Sequence, residues 1–543
     1  MNKLTCTLLI ASAILVNSPQ LGAQDGKQQH HHYKLIDVGT FGGPGGGIDN
    51  PSSPSLNQRG ALVGESATSA PDPFAPDYCF LDCYVDLGFL VHDGIVTPLY
   101  PPRSGAGLSS FPDAINYAGQ IAGQAQNGAV DPSTGWPESH AVLWQSGQTI
   151  AIDLGTLGGT QSIANALNDQ GQVVGAALTA TTDPFANTPI PGSVINPACE
   201  TPNAYDAAPT TFAVCSIFFP GTTETHAFVW TQSGGMRDLH TLGGPDSNAW
   251  INNDRGEVAG WSFTSFVANP TTGVPTMDPF YWNPWDGKMT DLGGLGGTLG
   301  GVVAINNSGQ IAGVSNTAND VTTHPFIWSK SEGMVDLFLG GGLGGTFGHP
   351  DWLNDSGEVV GYALISGDQA GHAFLWKDGV MTDLGTLYDD PQSEGFSINV
   401  YGQVAGGTSD LNGNDLRGFL WENKGPMVDL NTLIVPGSKM YVKAAVLIND
   451  LGDIGCLGLD PGDSDEHACL LIPCDENHPG IEGCDYSLVD APAATEVHPV
   501  DITKASAAAA SQPKLSPAEL LARFRSLRTG RNRRLSAPQT SPQ

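Results

Sequence analysis

His372-Ala-Phe-Leu-Trp376, Lys377-Asp378-Gly379, Val380-Met-Thr-Asp383-Leu-Gly-Thr-Leu387 and, after a short gap, Ser397-Ile-Asn399-Val-Tyr-Gly402-Gln-Val-Ala-Gly-Gly407 together spell four short strands separated by turns. The apolar runs are too short for helices. Each is bounded by a turn in which glycine supplies a positive φ, as in Asp378-Gly379 and the Asn399-x-x-Gly402 hairpin. Four strands of about five residues in a period of about 50 describe one blade of a β-propeller.

The unit recurs. An apolar residue, Asn, two residues and Gly appear at Asn57, Asn116, Asn168, Asn253, Asn306, Asn354, Asn399 and Asn449, spaced 59, 52, 85, 53, 48, 45 and 50 residues apart. His-Ala-Phe-Leu-Trp-like strands begin at His140, His226, His324 and His372, with degenerate copies ending at Trp282 and Trp421. A run ending in Asp-Leu recurs at Asp153, Asp238, Asp291, Asp336, Asp383 and Asp429. The first unit lacks its His strand and opens at Tyr33 with the second strand. After the last unit an orphan first strand remains, His467 to Pro473. That circular offset predicts an all-β, single closed propeller of eight four-stranded blades, with the C-terminal strand completing the first blade. Closure removes exposed sheet edges. A β-solenoid is the rival architecture, and it needs no such offset.

These units and the Ile-Asn-x-x-Gly-Gln tails resemble the HAF-repeat family of probable extracellular proteins over about residues 33 to 473. The resemblance implies an exported repeat protein. It implies no reaction, because the family carries no generally assigned catalytic residues.

Met1-Asn-Lys3, an apolar run from Leu4 to Val16 and Leu21-Gly-Ala23 read as a cleavable export signal, too short for a permanent membrane span. The chain therefore divides into a signal at 1–23, a polar tail at 24–32, the propeller at 33–473, and at 474–543 a disulfide loop, an Ala/Ser/Pro-rich linker and a basic tail. Secretion is expected, to the periplasm, the cell surface or the exterior. Eight cysteines remain after the signal, an even number in an exported chain, and neighbours in sequence suggest Cys79–Cys83, Cys199–Cys215, Cys456–Cys469 and Cys474–Cys484. The net charge of −33 argues against a nucleic-acid partner. From Asp501 onward the charge reverses, and Ser516 to Arg534 reads as a basic amphipathic helix that suits an anionic surface.

The long insertions precede the His strand, so they share a face with the Leu-Gly-Gly turns. Variable loops on a rigid scaffold are where function usually sits, which makes this the expected ligand face. His140, His226, His324, His372 and His467 lie near it. A partial metal ring and a structural bond to the repeated Asp are the two readings of these histidines. Trp136, inside an insertion, suits stacking on a sugar. Two acidic loops, Asp410, Asn412, Asn414 and Asp415, and Asp460, Asp463 and Asp465, offer alternating oxygen ligands. Calcium is the one cofactor they suggest, although neither matches an EF-hand. No catalytic motif appears. The expectation is a non-enzymatic binding protein taking a glycan or protein partner. A propeller hydrolase or lyase acting on polysaccharide or a small ester, and a purely structural envelope component, are the alternatives.

Overall fold

The computed structural model describes residues 29–48, 53–73, 84–102, 108–132, 135, 137–185, 223–270, 274–411, 413, 415–422, 424–460 and 465–490. Among them there is no α-helix and no helix long and apolar enough to cross a membrane. The chain is an all-β propeller of eight four-stranded antiparallel blades, strands a to d in each.

Blade 1 comprises Gly42–Gly47, Leu62–Pro71, Tyr84–His92 and Ile95–Leu99. Blade 2 comprises Ser110–Ile115, Ile121–Val130, Pro137–Trp144 and Ile152–Asp153. Blade 3 is Gly158–Leu167, Val173–Thr182, Thr223–Thr231 and Gly235–His240. Blade 4 is Ser247–Asn252, Val258–Phe263, Met277–Trp282 and Met289–Asp291. Blade 5 is Gly296–Ile305, Ile311–Thr317, Thr323–Ser329 and Gly333–Asp336. Blade 6 is Gly344–Leu353, Val359–Ile365, Gly371–Lys377 and Val380–Asp383. Blade 7 is Gln392–Ile398, Val404–Ser409, Arg417–Trp421 and Val428–Asp429. Blade 8 takes three strands from the C-terminal side, Tyr441–Ile448, Ile454–Leu459 and Glu466–Pro473, and its fourth, Tyr33–Asp37, from the N-terminal side.

The sequence unit and the blade are out of phase. The His strand is strand c and pairs with the Gly-Gln strand of the preceding unit, not with the Asn strand of its own. The reason lies at the Gly-rich segment after Asp-Leu. It breaks the ladder, so the chain leaves one sheet there and enters the next. The pairing of Tyr33–Asp37 with Glu466–Pro473 is the one the offset predicts, but it completes the last blade rather than the first.

Local packing explains the motif. In seven blades the Gly seven residues after the Asn lies on strand b against strand a. At Gly123, Gly175 and Gly260 a Cβ would meet the carbonyl oxygens of Phe111, Ile163 and Asn248 at 2.1, 1.9 and 1.9 Å. Strand a has a register break at that level in blades 2 to 7, which presses its carbonyl inward. The missing side chain also leaves room for the Phe of strand c, because Gly175 and Phe228, Gly361 and Phe374, and Gly406 and Phe419 are cross-strand partners. Phe89, Phe228, Phe280, Phe326, Phe374 and Phe419 are all fully buried, and truncating such a ring costs about 3–5 kcal/mol. Blade 8 replaces the pair as a unit. Cys456 stands for Gly and Cys469 for Phe, and the two are joined by a disulfide.

The Asn turns tie blade to blade. Each Asn side chain donates from Nδ2 to the backbone carbonyl of the next turn's Asn: Asn57 to Asn116, 168, 253, 306, 354, 399 and 449 in order, and Asn449 back to Asn57, at 2.8–3.1 Å. Its Oδ1 accepts the amide N–H four residues on, as in Gln120, Glu257 and Asp453. The second Nδ2 hydrogen usually meets a side chain at the same i+4 position, such as Gln310 or Glu358. Only an Asn offers two donors and a two-lone-pair acceptor on so short a stem. That is why the residue recurs in every unit.

A second staple joins the outer strands. Ser110, Ser162, Ser247 and Ser393, near the start of strand a, each accept a backbone N–H from strand c of the preceding blade. Each also donates to a carbonyl at the end of that blade.

The N-terminal tail is not free. Gln29–His31 pairs with Leu488–Asp490, and His30 is buried with Nδ1 2.7 Å from Glu422. The Cys474–Cys484 disulfide is present. His478 of the loop that this bridge closes contacts Asp453 and Asp475 at 3.1 and 2.8 Å. The signal segment, Cys79, Cys83, Cys199, Cys215 and the basic C-terminal helix lie outside the described residues.

Candidate functional site

Strand order fixes what each face carries. The a–b Asn turns and the c–d turns lie on one face. The b–c connections, which hold the insertions, and the d–a Gly-rich crossovers lie on the other.

The Asn face is committed to structure. Beside the Asn cycle runs a second, interrupted set of links, formed by the following residues in six of the eight turns. The backbone N–H groups of Tyr117, Asp169, Asp254, Asn307, Val400 and Asp450 each donate to the side chain at the same position of the next blade, at 2.7–3.0 Å. The Asn cycle and these links rim an axial cavity of about 260 Å³. Its wall is apolar below the rim, with Leu56, Ile115, Leu167, Ile305, Leu353 and Ile398 among the lining residues. Ser53 of the segment before Asn57 reaches past blade 2 to donate to the Asn165 carbonyl of blade 3, at 2.9 Å.

A second cluster is buried between blades 6 and 7. His349 Nδ1 lies 3.5 Å from Asp351, and His349 Nε2 lies 3.6 Å from Glu394. Tyr362 stacks on the imidazole at 5.6 Å. Burial, with Glu394 and Asp368 nearby, pushes the Tyr362 hydroxyl above its usual range. The three side chains are 7%, 0% and 2% exposed, and none of them lines the axial cavity. The sequence reading missed this group; among the repeats only this one places a His five residues before the repeated Asn, at His349 before Asn354.

On the insertion face, the five histidines do not converge. Each binds the repeated Asp of its own blade: His140 to Asp153, His226 to Asp238, His324 to Asp336 and His372 to Asp383 at 2.9 Å, and His467 to Asp37 at 3.0 Å. Among the described residues, no group of three candidate metal ligands joins two of these histidines. Burial would raise Asp37, but the His467 and Gly39 hydrogen bonds hold it below the ordinary carboxylate range. The repeated Trp residues pack against neighbouring blades, as Trp328 does on Tyr281 of blade 4. Trp144 is fully buried and donates to the Tyr100 carbonyl, and Trp376 and Trp421 are buried.

Strands b and c absorb part of the insertions. They reach 10 residues in strand b of blades 1, 2 and 3, because continuing the ladder satisfies backbone groups that a loop would leave to water. Trp136, Asn412, Asn414 and Asp463 lie outside the described residues. Asp410 uses its carbonyl to accept from Gln392 and Gly413. Arg417 donates to the Asp415 carbonyl and pairs with Asp390 at 2.6 Å, placing a fixed cation beside the first acidic loop. Asp460 and Asp465 flank the second loop.

Carboxylates do gather at the base of the largest insertion. Burial, then the charge of Asp183 and Glu224, raises Asp246 to about 7, against the opposing hydrogen bond from the Thr225 amide. Asp183 and Glu224 are also raised, chiefly by burial.

No family model and no curated protein matches the chain. Solved structures similar to it include the β-propeller domain of the Trilobed protease from Pyrococcus furiosus, at 7% identity and a TM-score of 0.37 over 66% of this chain and 93% of that one. TolB from Acinetobacter baumannii is similar at 10% identity and a TM-score of 0.29, over 69% and 78% of the two chains. An ulvan lyase described as a new polysaccharide lyase family is similar at 10% identity and a TM-score of 0.30, over 75% and 99%.

Proposed function

We propose that the chain is a single closed eight-bladed propeller, exported and related to HAF-repeat proteins, that binds a glycan or protein partner through its insertion-bearing face without catalysing a reaction. Closure is supported by the Asn cycle, which runs through eight turns and returns to Asn57, and by the pairing of the two chain ends within blade 8. Export is supported by the N-terminal signal pattern and by the two disulfides.

One observation carries the binding reading: the long insertions, which enter between strands b and c, sit on one face. The opposite face carries the Asn cycle and the hydrogen bonds beside it, its cavity has mainly apolar side chains below the rim, and the His349 group is buried. An enzyme needs titratable side chains in an accessible pocket. The acidic side chains of the axial cavity are its rim aspartates, Asp169, Asp254, Asp355 and Asp450, and each already accepts a backbone N–H of the neighbouring blade.

The test is a binding screen of the signal-free protein against soluble polysaccharides, with and without calcium, including a check for shortened product. The expected result is a thermal shift for one polysaccharide class, with no cleavage. That shift should disappear when residues 186–222 are replaced by a short Gly-Ser linker and survive Asp254→Asn on the Asn face. Cleavage of any polysaccharide, or binding that tracks the Asn-face substitution, overturns the reading.

A further inference from the structure

The Asp at the end of strand d is followed two residues later by Gly in four blades, at Gly39 after Asp37-Val38 and at Gly155, Gly293 and Gly385 after Asp-Leu. Those glycines have φ between 67° and 80°, a left-handed conformation that L side chains adopt only with strain. In blade 3 the same position holds His240, at φ 61°. An imidazole has thus been placed where the backbone asks for glycine.

The consequence is local and specific. His226 and Asp238 already form the pair that every His-strand blade carries. His240 adds a third donor to it. Asp238 Oδ2 is 2.9 Å from His226 Nδ1 and 3.2 Å from His240 Nδ1. Asp238 Oδ1 meanwhile accepts the His240 backbone N–H at 2.6 Å, which fixes the carboxylate between the rings. The rings stand 6.2 Å apart at 78°, edge to face. The three donor atoms lie within 4.8 Å of one another. Ligands held about 2.0–2.1 Å from one ion stand about 2.9–3.4 Å apart, so two of the three edges already have the required length. His240 is 77% exposed, which leaves the outer coordination positions open to water or a partner.

The surroundings favour a dication. Glu224 lies 3.7 Å from the far nitrogen of His226, and Asp183 and Asp246 stand behind it.

We propose that His226, Asp238 and His240 form a binding site for a borderline transition-metal dication of the zinc class, on the insertion-bearing face of blade 3. Two imidazoles and one carboxylate with open positions are the donor set such ions take. Calcium prefers an all-oxygen shell and is not the expected ion.

The test uses the whole signal-free chain, stripped with EDTA and titrated with Zn²⁺ by calorimetry and with Co²⁺ by visible absorption. His240→Gly restores the residue of four sister blades and keeps the His226–Asp238 pair, so it should fold at least as well as the parent. The parent should bind one more equivalent than this variant, or bind it at least about tenfold more tightly, since removing even an outer-shell partner of a metal site costs about 10–100-fold. Gly155→His in blade 2, beside His140 and Asp153, should add an equivalent. Background binding by His30 to His32 is common to all three proteins and cancels. A parent that binds no Zn²⁺, or a His240→Gly variant with unchanged stoichiometry and affinity, overturns the proposal.

Discussion

Replacing Asn306 with Ala tests the device that holds the ring together. The Asn306 side chain makes four hydrogen bonds: Nδ2 to the Asn354 carbonyl at 3.0 Å and to Gln310 Oε1 at 2.8 Å, and Oδ1 from the amides of Ser308 and Gln310 at 3.1 and 2.9 Å. Asn306 is 3% exposed. Each bond contributes about 1 kcal/mol net, so the sum is about 4 kcal/mol. Ser308 is exposed, and the Gln310 side chain can turn to water, which returns part of this. The expected loss is about 3 kcal/mol. Equilibrium urea unfolding followed by tryptophan fluorescence reads it directly, with Ser308→Ala as the neighbouring control, expected within about 0.5 kcal/mol of the parent. Asn306→Asp should fare no better than Ala. It keeps the acceptor but aims a carboxylate at the Asn354 carbonyl. A loss below about 1 kcal/mol for Asn306→Ala would refute the claim that the Asn turns couple the blades.

Further outcomes are expected elsewhere. Asp246 has a folded pKa of about 7, above that of a carboxyl in an unfolded chain, so its contribution is fully present at low pH and is lost as pH rises toward 7. Asp246→Asn keeps an acceptor for Thr225, so it should raise the melting temperature at pH 8 and leave it unchanged at pH 4, measured in EDTA. His372→Ala should cost about 1–2 kcal/mol by urea unfolding, because it strands Asp383, and should leave Zn²⁺ stoichiometry untouched. Cys469→Ala should cost about 3 kcal/mol, the loop-closure value for a bridge spanning 13 residues, read by thermal unfolding under non-reducing conditions. The paired Cys456→Gly, Cys469→Phe variant should recover much of that loss, because it rebuilds the Gly–Phe contact of the sister blades.

The architecture was legible because its rules repeat. Asn recurs in all eight units, and Gly, Phe and Ser recur at fixed offsets in seven, six and four of the blades, each answering one steric or hydrogen-bonding demand. The phase of the blade was not legible, since a periodic sequence looks the same wherever it is cut. Only the ladder break after Asp-Leu decides it. The tail histidines were misplaced for another reason: the partner of Gln29–His31 lies more than 450 residues away, at Leu488–Asp490, and no local pattern announces it. Of the candidate sites, the His–Asp pairs were readable as one per blade. Both three-residue groups escaped. The His349 group depends on two blades meeting. The His226 group was visible only as a deviation, a His in a glycine position, which a search for recurrence passes over.

The most direct test of the closed ring is native-state hydrogen exchange at the amides of Ala61, Gln120, Gln172, Glu257, Gln310, Glu358, Gln403 and Asp453, each bonded to its Asn Oδ1. A closed ring predicts similar protection at all eight, including Ala61 and Asp453 at the seam between blades 8 and 1. Fast exchange confined to those two, with fraying of Tyr33–Asp37, would contradict it.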